Sequence, residues 1–342
     1  MLPGLLACAV VALAARFLEL GLDLGLGTAL ALAIGLAIGS VARVRAVLLA
    51  GSAIAARSAL RVGIVLLGAR LTVQQVIETG ASSVLAIVAL VSVALVLGTW
   101  LAGRLGVASP LSALITVGMA ICGNSAILAL SPILRAPHRE TAYAVSTITL
   151  FGLVGVLVLP VLGAALGLSD ATFGTWAGLA VNDTAQVVAT GYAFSPPAGD
   201  VATIVKLTRN LAILPVVLGA TWLAVRSAST ETSALSAGST WRLMVRAVPW
   251  FVIGFVVFAG LRSAGLLDGA LPTGDTLADL CTTLATLLIL VALAGVGIST
   301  DVRAMLGVGS RPFLLAAAIW IVIGLLGLAL ATVAAGPPPS VA

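Results

Sequence analysis

Apolar residues in this chain come as long runs, repeated from one end to the other, with short polar or arginine-bearing stretches between them. A run of about 18 apolar residues is long enough to cross a hydrocarbon core of roughly 30 Å. In lipid only helices and closed barrels satisfy every backbone group, and barrel strands would alternate apolar and polar over about ten residues. Stretches such as "LAIVALVSVALVLGTWLAG" show no such alternation. The pattern therefore predicts an all-α polytopic membrane protein with about eleven transmembrane helices. The segments are 2–19, 27–43, 52–72, 81–103, 110–134, 139–166, 172–193, 203–226, 247–266, 275–300 and 311–334. The seventh is the most polar of them. Connections are short except for a Ser/Thr-rich loop at 226–246, which reads as a linker.

Two of the runs are interrupted. "GMAICGNSAILALSP" (118–132) carries a helix-breaking polar stretch in its middle, and "LAGVGISTDVRAM" (293–305) is broken by glycines and then capped by small polar residues. Each is followed by a loop holding Arg and Pro and then by an unbroken apolar helix. The offset between the two units is roughly 170–175 residues, which pairs segments 2–6 with segments 7–11 as internal repeats. The expected organisation is one integral membrane domain spanning 1–342. An added first helix and loop (1–26) precede two five-helix halves, 27–166 and 172–334, inverted in the membrane. Interrupted segments in two inverted halves point to the binding site of a secondary transporter.

A break at mid-membrane exposes backbone N–H donors at the start of the second half-helix, and the helix dipole there favours an anion. Gly123, Asn124 and Ser125, with Gly297, Ser299 and Thr300, are the substrate-binding candidates; Asn124, Ser125, Ser299, Thr300 and Asp301 also suit N-caps. The competing reading is a pair of self-capping kinks. Asn182 and Asp183, in "VNDTAQVV", place an ionisable group in an apolar setting, a functional candidate by default. Lys206 and Arg209 lie one turn apart, with Asp183 as a plausible counter-charge, and serve with Asp301 as coupling or charge-compensating candidates. Cys122 reads as a small packing residue.

Composition agrees: 61% of the residues are hydrophobic and 8% are charged, far below the roughly one quarter charged in soluble proteins. The net charge of +5 comes from arginines at the ends of apolar runs, so it speaks for topology and not for nucleic-acid binding. Arg43, Arg45, Arg57, Arg61, Arg104, Arg226, Arg242, Arg246, Arg303 and Arg311 gather on one side, against Arg16, Arg70, Arg135, Arg139 and Arg262 on the other. The positive-inside rule then puts the N-terminus in the cytoplasm and the C-terminus outside a cell membrane. Three cysteines and one histidine give no metal-ligand spacing and no catalytic constellation, so an enzyme is disfavoured. No GxxxxGK[ST] motif is present to support ATP-driven pumping.

Several stretches are similar to the YeiH family of bacterial inner-membrane proteins, described as sulfate exporters: "LRVGIVLLGARLT" (60–72), "AICGNSAILALSPIL" (120–134), "WAGLAVNDTAQVVATGYAFS" (176–195), "VKLTRNLAILPVVL" (205–218) and "GVGISTDVRAMLGVGSRP" (295–312). The likeness runs in order from about residue 27 to 335. It implies a fold distantly like the bile-acid:sodium symporter and cation/proton antiporter superfamily, with a panel domain and a core domain in which two broken helices cross. It also implies a small anion as substrate, sulfate or another sulfur oxyanion. Asn124 departs from the family pattern, where a smaller residue is usual. The expected function is alternating-access transport, in the export direction, of a small inorganic or organosulfur anion. The alternative is a Na⁺- or H⁺-coupled organic-anion symporter or cation/proton antiporter on the same fold. The expected partners are the anion and the lipid bilayer, with a homodimer left open and no cofactor beyond a coupling Na⁺ or H⁺.

Overall fold

The computed structural model describes residues 1–22, 27–213, 215–216, 219, 250–269, 275–300 and 310–334. Every regular element among them is a helix, as the apolar runs require. The first three helical stretches are α1 (Leu2–Leu22), α2 (Gly27–Gly39) and α3 (Ala42–Ile54). The last continues through a π-helical turn (Ala55–Ala59) into α4 (Leu60–Leu67) and a 3₁₀ turn (Gly68–Arg70). Arg57 and Arg61 therefore lie inside one helix, Ala42–Arg70, and not at the boundary between two segments as the charge pattern suggested.

Next comes α5 (Val73–Leu105), opened by a reciprocal Thr72–Gln75 capping box and closed by Gly106 in the left-handed conformation. After it the chain forms α6 (Ser109–Ala120), α7 (Asn124–Leu130), α8 (His138–Ala165), α9 (Asp170–Ala180), α10 (Thr184–Phe194) and α11 (Pro196–Asn210). Then follow α12 (Trp250–Ser263), α13 (Leu277–Ser299) and α14 (Ser310–Ala334). Among the described residues, six helices are long and apolar enough to cross a membrane singly: Leu2–Glu19, Ala42–Arg70, Val73–Leu105, His138–Ala165, Leu277–Ser299 and Ser310–Ala334. Most of segment 203–226, the loop 226–246 and Asp301 lie outside the described residues.

Helix α13 is the axis around which α1, α2, α3 and α4 pack. Its seam with α2 is made of backbone: a methyl group at Gly35 would come 2.5 Å from the Ala294 carbonyl, and one at Gly297 2.6 Å from the Leu32 carbonyl. Small residues allow such approach, and dispersion contacts over the seam replace the hydrophobic drive that lipid cannot supply. A second apolar core joins α5, α6, α7, α8 and α14. There α9 packs against α14, and the Trp176 Nε1 donates to the Gly324 carbonyl at 2.8 Å. The buried faces of α9, α10 and α11 enclose the residues of greatest chemical interest.

Candidate functional site

Two interruptions meet in this interior. The first separates α6 from α7: the helix ends at Ala120, Ile121 leaves helical geometry, and Gly123 takes φ 62°, ψ −118°. A side chain rarely tolerates that backbone, which is why glycine is needed there. The second separates α9 from α10, where Val181 and Asp183 are extended on either side of Asn182. The breaks touch, since a methyl at Gly123 would lie 3.5 Å from the Asn182 carbonyl carbon and oxygen. The seventh segment, chosen on polarity as the odd one, is thus an interrupted helix.

Breaking two helices strands carbonyls at the ends of α6 and α9. Two cations from one face of α11, at i and i+3, take them up. Lys206 Nζ donates to the Ile121 and Val181 carbonyls at 2.9 and 3.1 Å, one from each break. Arg209 donates to Met119 (2.7 Å), Ala120 (3.1 Å), Gly178 (3.4 Å), Leu179 (2.5 Å) and Val181 (3.2 Å). Both side chains are fully buried. A cation at a helix C-terminus complements the dipole, most strongly where water is absent. Lys206 and Arg209 are therefore occupied with backbone and do not form a simple ion pair with Asp183.

Asp183 caps α10, its Oδ1 accepting from the Ala185 amide at 2.9 Å, while Asn124 Nδ2 approaches its Oδ2 at 3.5 Å. Asn124 is the first residue of α7 and makes no side-chain cap, so the N-cap expected of it is not formed; Gly123 holds that position. Ser125 is exposed. Asn182 donates to the Met119 sulfur at 3.0 Å. Sequence reasoning missed two residues here. Gln186 donates to the Thr149 carbonyl at 3.0 Å, and Asn210 Nδ2 sits 3.5 Å from Thr184 Oγ1. Their spacing from Asp183 and Arg209 was the available signal. The amide oxygens of Asn124, Asn182, Gln186 and Asn210 are buried without a hydrogen-bond partner.

The other predicted motif lies elsewhere. Helix α13 runs unbroken through Gly295 and Gly297 and ends at Ser299, with Thr300 as its C-cap. Gly297 packs on α2; Ser299 Oγ donates to the Gly295 carbonyl and lies 3.3 Å from Ser52 Oγ, and Thr300 Oγ1 donates to Val296 at 2.7 Å. Gly297 and Ser299 face α2 and α3, and the break that touches 121–123 is the one at 181–183; the rest of the second motif, from Asp301 on, lies outside the described residues. Among the described residues no group of three metal-ligating His, Cys, Asp or Glu side chains occurs.

The all-helical fold, its long apolar helices and the buried polar junction of two interrupted helices define a helical integral membrane protein. The family described as "Conserved hypothetical protein 698" matches residues 3–316, and the chain belongs to this family, UPF0324. A UPF0324 membrane protein of Streptococcus agalactiae is 33% identical over 325 residues, covering 94% of this chain and 93% of the relative. The UPF0324 inner membrane protein YeiH of Salmonella typhimurium is 34% identical over 272 residues, covering 78% and 73%. A UPF0324 membrane protein of Clostridium tetani is 34% identical over 273 residues, covering 78% and 77%. No solved structure matches the chain.

Proposed function

We propose that the protein is a secondary transporter that moves a small inorganic or organosulfur anion, such as sulfate, outward by alternating access, the anion binding beside the crossed breaks. The observation that carries this is the charge balance at the crossing. By formal charge, Lys206 and Arg209 outnumber the one carboxylate beside them, Asp183, by one inside an apolar bundle. An interior with uncompensated positive charge favours an anion over a cation. The exposed Ser125 hydroxyl supplies a neutral donor that holds an oxyanion without trapping it. Eleven crossings in two inverted halves, with a cytoplasmic N-terminus, complete the proposal; Gly297, Ser299 and Thr300 then serve the helix packing around the site.

A second reading is favoured by one observation. The unpartnered oxygens of Asn124, Asn182 and Asn210 flank Asp183, and such acceptors suit a coupling Na⁺ or H⁺. Flux into proteoliposomes decides between them. Sulfate, sulfite and taurine are offered with and without a Na⁺ or pH gradient. Uptake of one of these that weakens in Ser125→Ala, with folding intact, supports the anion site. Uptake driven by a Na⁺ or pH gradient and abolished in Asp183→Asn supports coupling. No flux of any of the three, under any gradient, overturns the proposal.

A further inference from the structure

The helix Ala42–Arg70 carries two arginines, Arg57 within its π-helical turn and Arg61 one turn further on, both exposed on the protein surface. Their depth follows from packing against α13, which runs antiparallel alongside. Near one end of the contact, Gly295 of α13 meets Ser52 and Ala56; a methyl there would lie 2.6 Å from the Ser52 carbonyl. Further along, Gly63 meets Ala285 and Ile289 at 3.3 and 3.2 Å on the same measure. Arg61 falls between these points, level with the middle of a 23-residue apolar helix. At about 1.5 Å per residue that helix covers a whole hydrocarbon core. Arg61 is thus at core depth, and Arg57 about one turn shallower.

An arginine near a helix end snorkels to the interface; one beside the middle of a spanning helix does not reach it. Ionisable groups at this depth face a water-filled cavity or a partner. Among the described residues neither guanidinium has a hydrogen-bond or ion-pair partner. That separates them from Lys206 and Arg209, whose donors are spent on carbonyls. A π turn inside an α-helix frequently marks a functional position, and here it offers one of the two free forks. Planar guanidinium forks match the oxygens of a tetrahedral oxyanion two at a time.

We infer that Arg57 and Arg61 line a water-filled inlet reaching membrane-core depth and together bind a tetrahedral oxyanion there. The inference rests on the anion-transport reading and adds to it a loading site distinct from the crossed breaks. The oxyanion is either free sulfate from water or the phosphate of an anionic lipid drawn to the pair.

Three measurements test it. In a Cys281→Ala background, Arg61→Cys in membrane vesicles should react with a membrane-impermeant thiol reagent at a rate close to that of a loop cysteine, whereas Leu85→Cys, on an exposed apolar helix face, should not. Purified protein in lipid-free detergent should bind inorganic sulfate, and Arg57→Gln with Arg61→Gln should weaken that binding by about tenfold or more. In nanodiscs containing phosphatidylglycerol, co-purified anionic lipid lost only in the double variant, with sulfate binding unchanged, assigns the site to the lipid phosphate. An Arg61→Cys variant that stays unreactive overturns the inlet. Unchanged sulfate affinity and unchanged lipid retention overturn the oxyanion site while leaving the crossed-break reading standing. No sulfate binding by wild type, with flux absent as well, overturns both.

Discussion

Replacing Arg209 with Met should undo the junction of the two interrupted helices. The guanidinium serves carbonyls of Met119, Ala120, Gly178, Leu179 and Val181 from a fully buried position. Val181 keeps Lys206, and the Gly178 contact is long, so Met119, Ala120 and Leu179 are the carbonyls left without a partner. Each orphaned buried acceptor costs about 1–3 kcal/mol, giving roughly 3–9 kcal/mol in all. That is a large share of the about 5–15 kcal/mol that holds a native protein together. Arg209→Lys keeps the charge but loses the fork, and should recover about half of the loss. The assay is size-exclusion elution and thermal denaturation in detergent. Arg209→Met should aggregate or melt roughly 10 °C or more below wild type, with Arg209→Lys between them. An Arg209→Met protein that elutes normally and melts within about 2 °C of wild type would refute the claim that this side chain carries the stranded carbonyls.

Other outcomes follow from single contacts. Gly152→Ala would drive a methyl into Gln186 Oε1, so it should cost about 1–3 kcal/mol in melting experiments, and much less in the Gly152→Ala/Gln186→Ala pair. Ser125→Ala, at an exposed hydroxyl, should leave stability within about 0.5 kcal/mol of wild type while lowering anion flux. Gly123→Val should damage both flux and melting temperature, because the φ of 62° is hostile to a β-branched residue. Reporter fusions after residues 235 and 340 should report the cytoplasm and the outside respectively; the same side for both would remove the eleven-crossing topology.

The helical membrane class was legible because apolar runs of that length have few alternatives in lipid. So was the break at 121–123, where Gly-Asn-Ser interrupts a run with residues that each disfavour a helix interior. The match between Lys206, Arg209 and helix ends was only half legible. Their spacing shows one face, but the carbonyls they serve come from α6 and α9, some 25 to 90 residues earlier. The glycines at 295 and 297 were ambiguous for a physical reason. Glycine in an apolar run signals either a break or a close approach, and the deciding partner, α2 or α3, is remote in sequence. The depth of Arg57 and Arg61 was hidden likewise, since a charge near the start of an apolar run looks interfacial until the neighbouring helix shows where the middle is.

The Trp176 indole has an optical consequence. It is 3% exposed and hydrogen-bonded to Gly324, whereas Trp100 and Trp250 stand on the surface at 54% and 55%. Buried in apolar surroundings, it should emit at shorter wavelength than the surface pair and resist aqueous quenchers. The bond joins the half-helix before the 181–183 break to α14, so any rocking of α9 against α14 alters the ring's surroundings at once. A variant retaining only Trp176 would turn that displacement into a change of colour and intensity, reporting the movement of α9 without an attached dye.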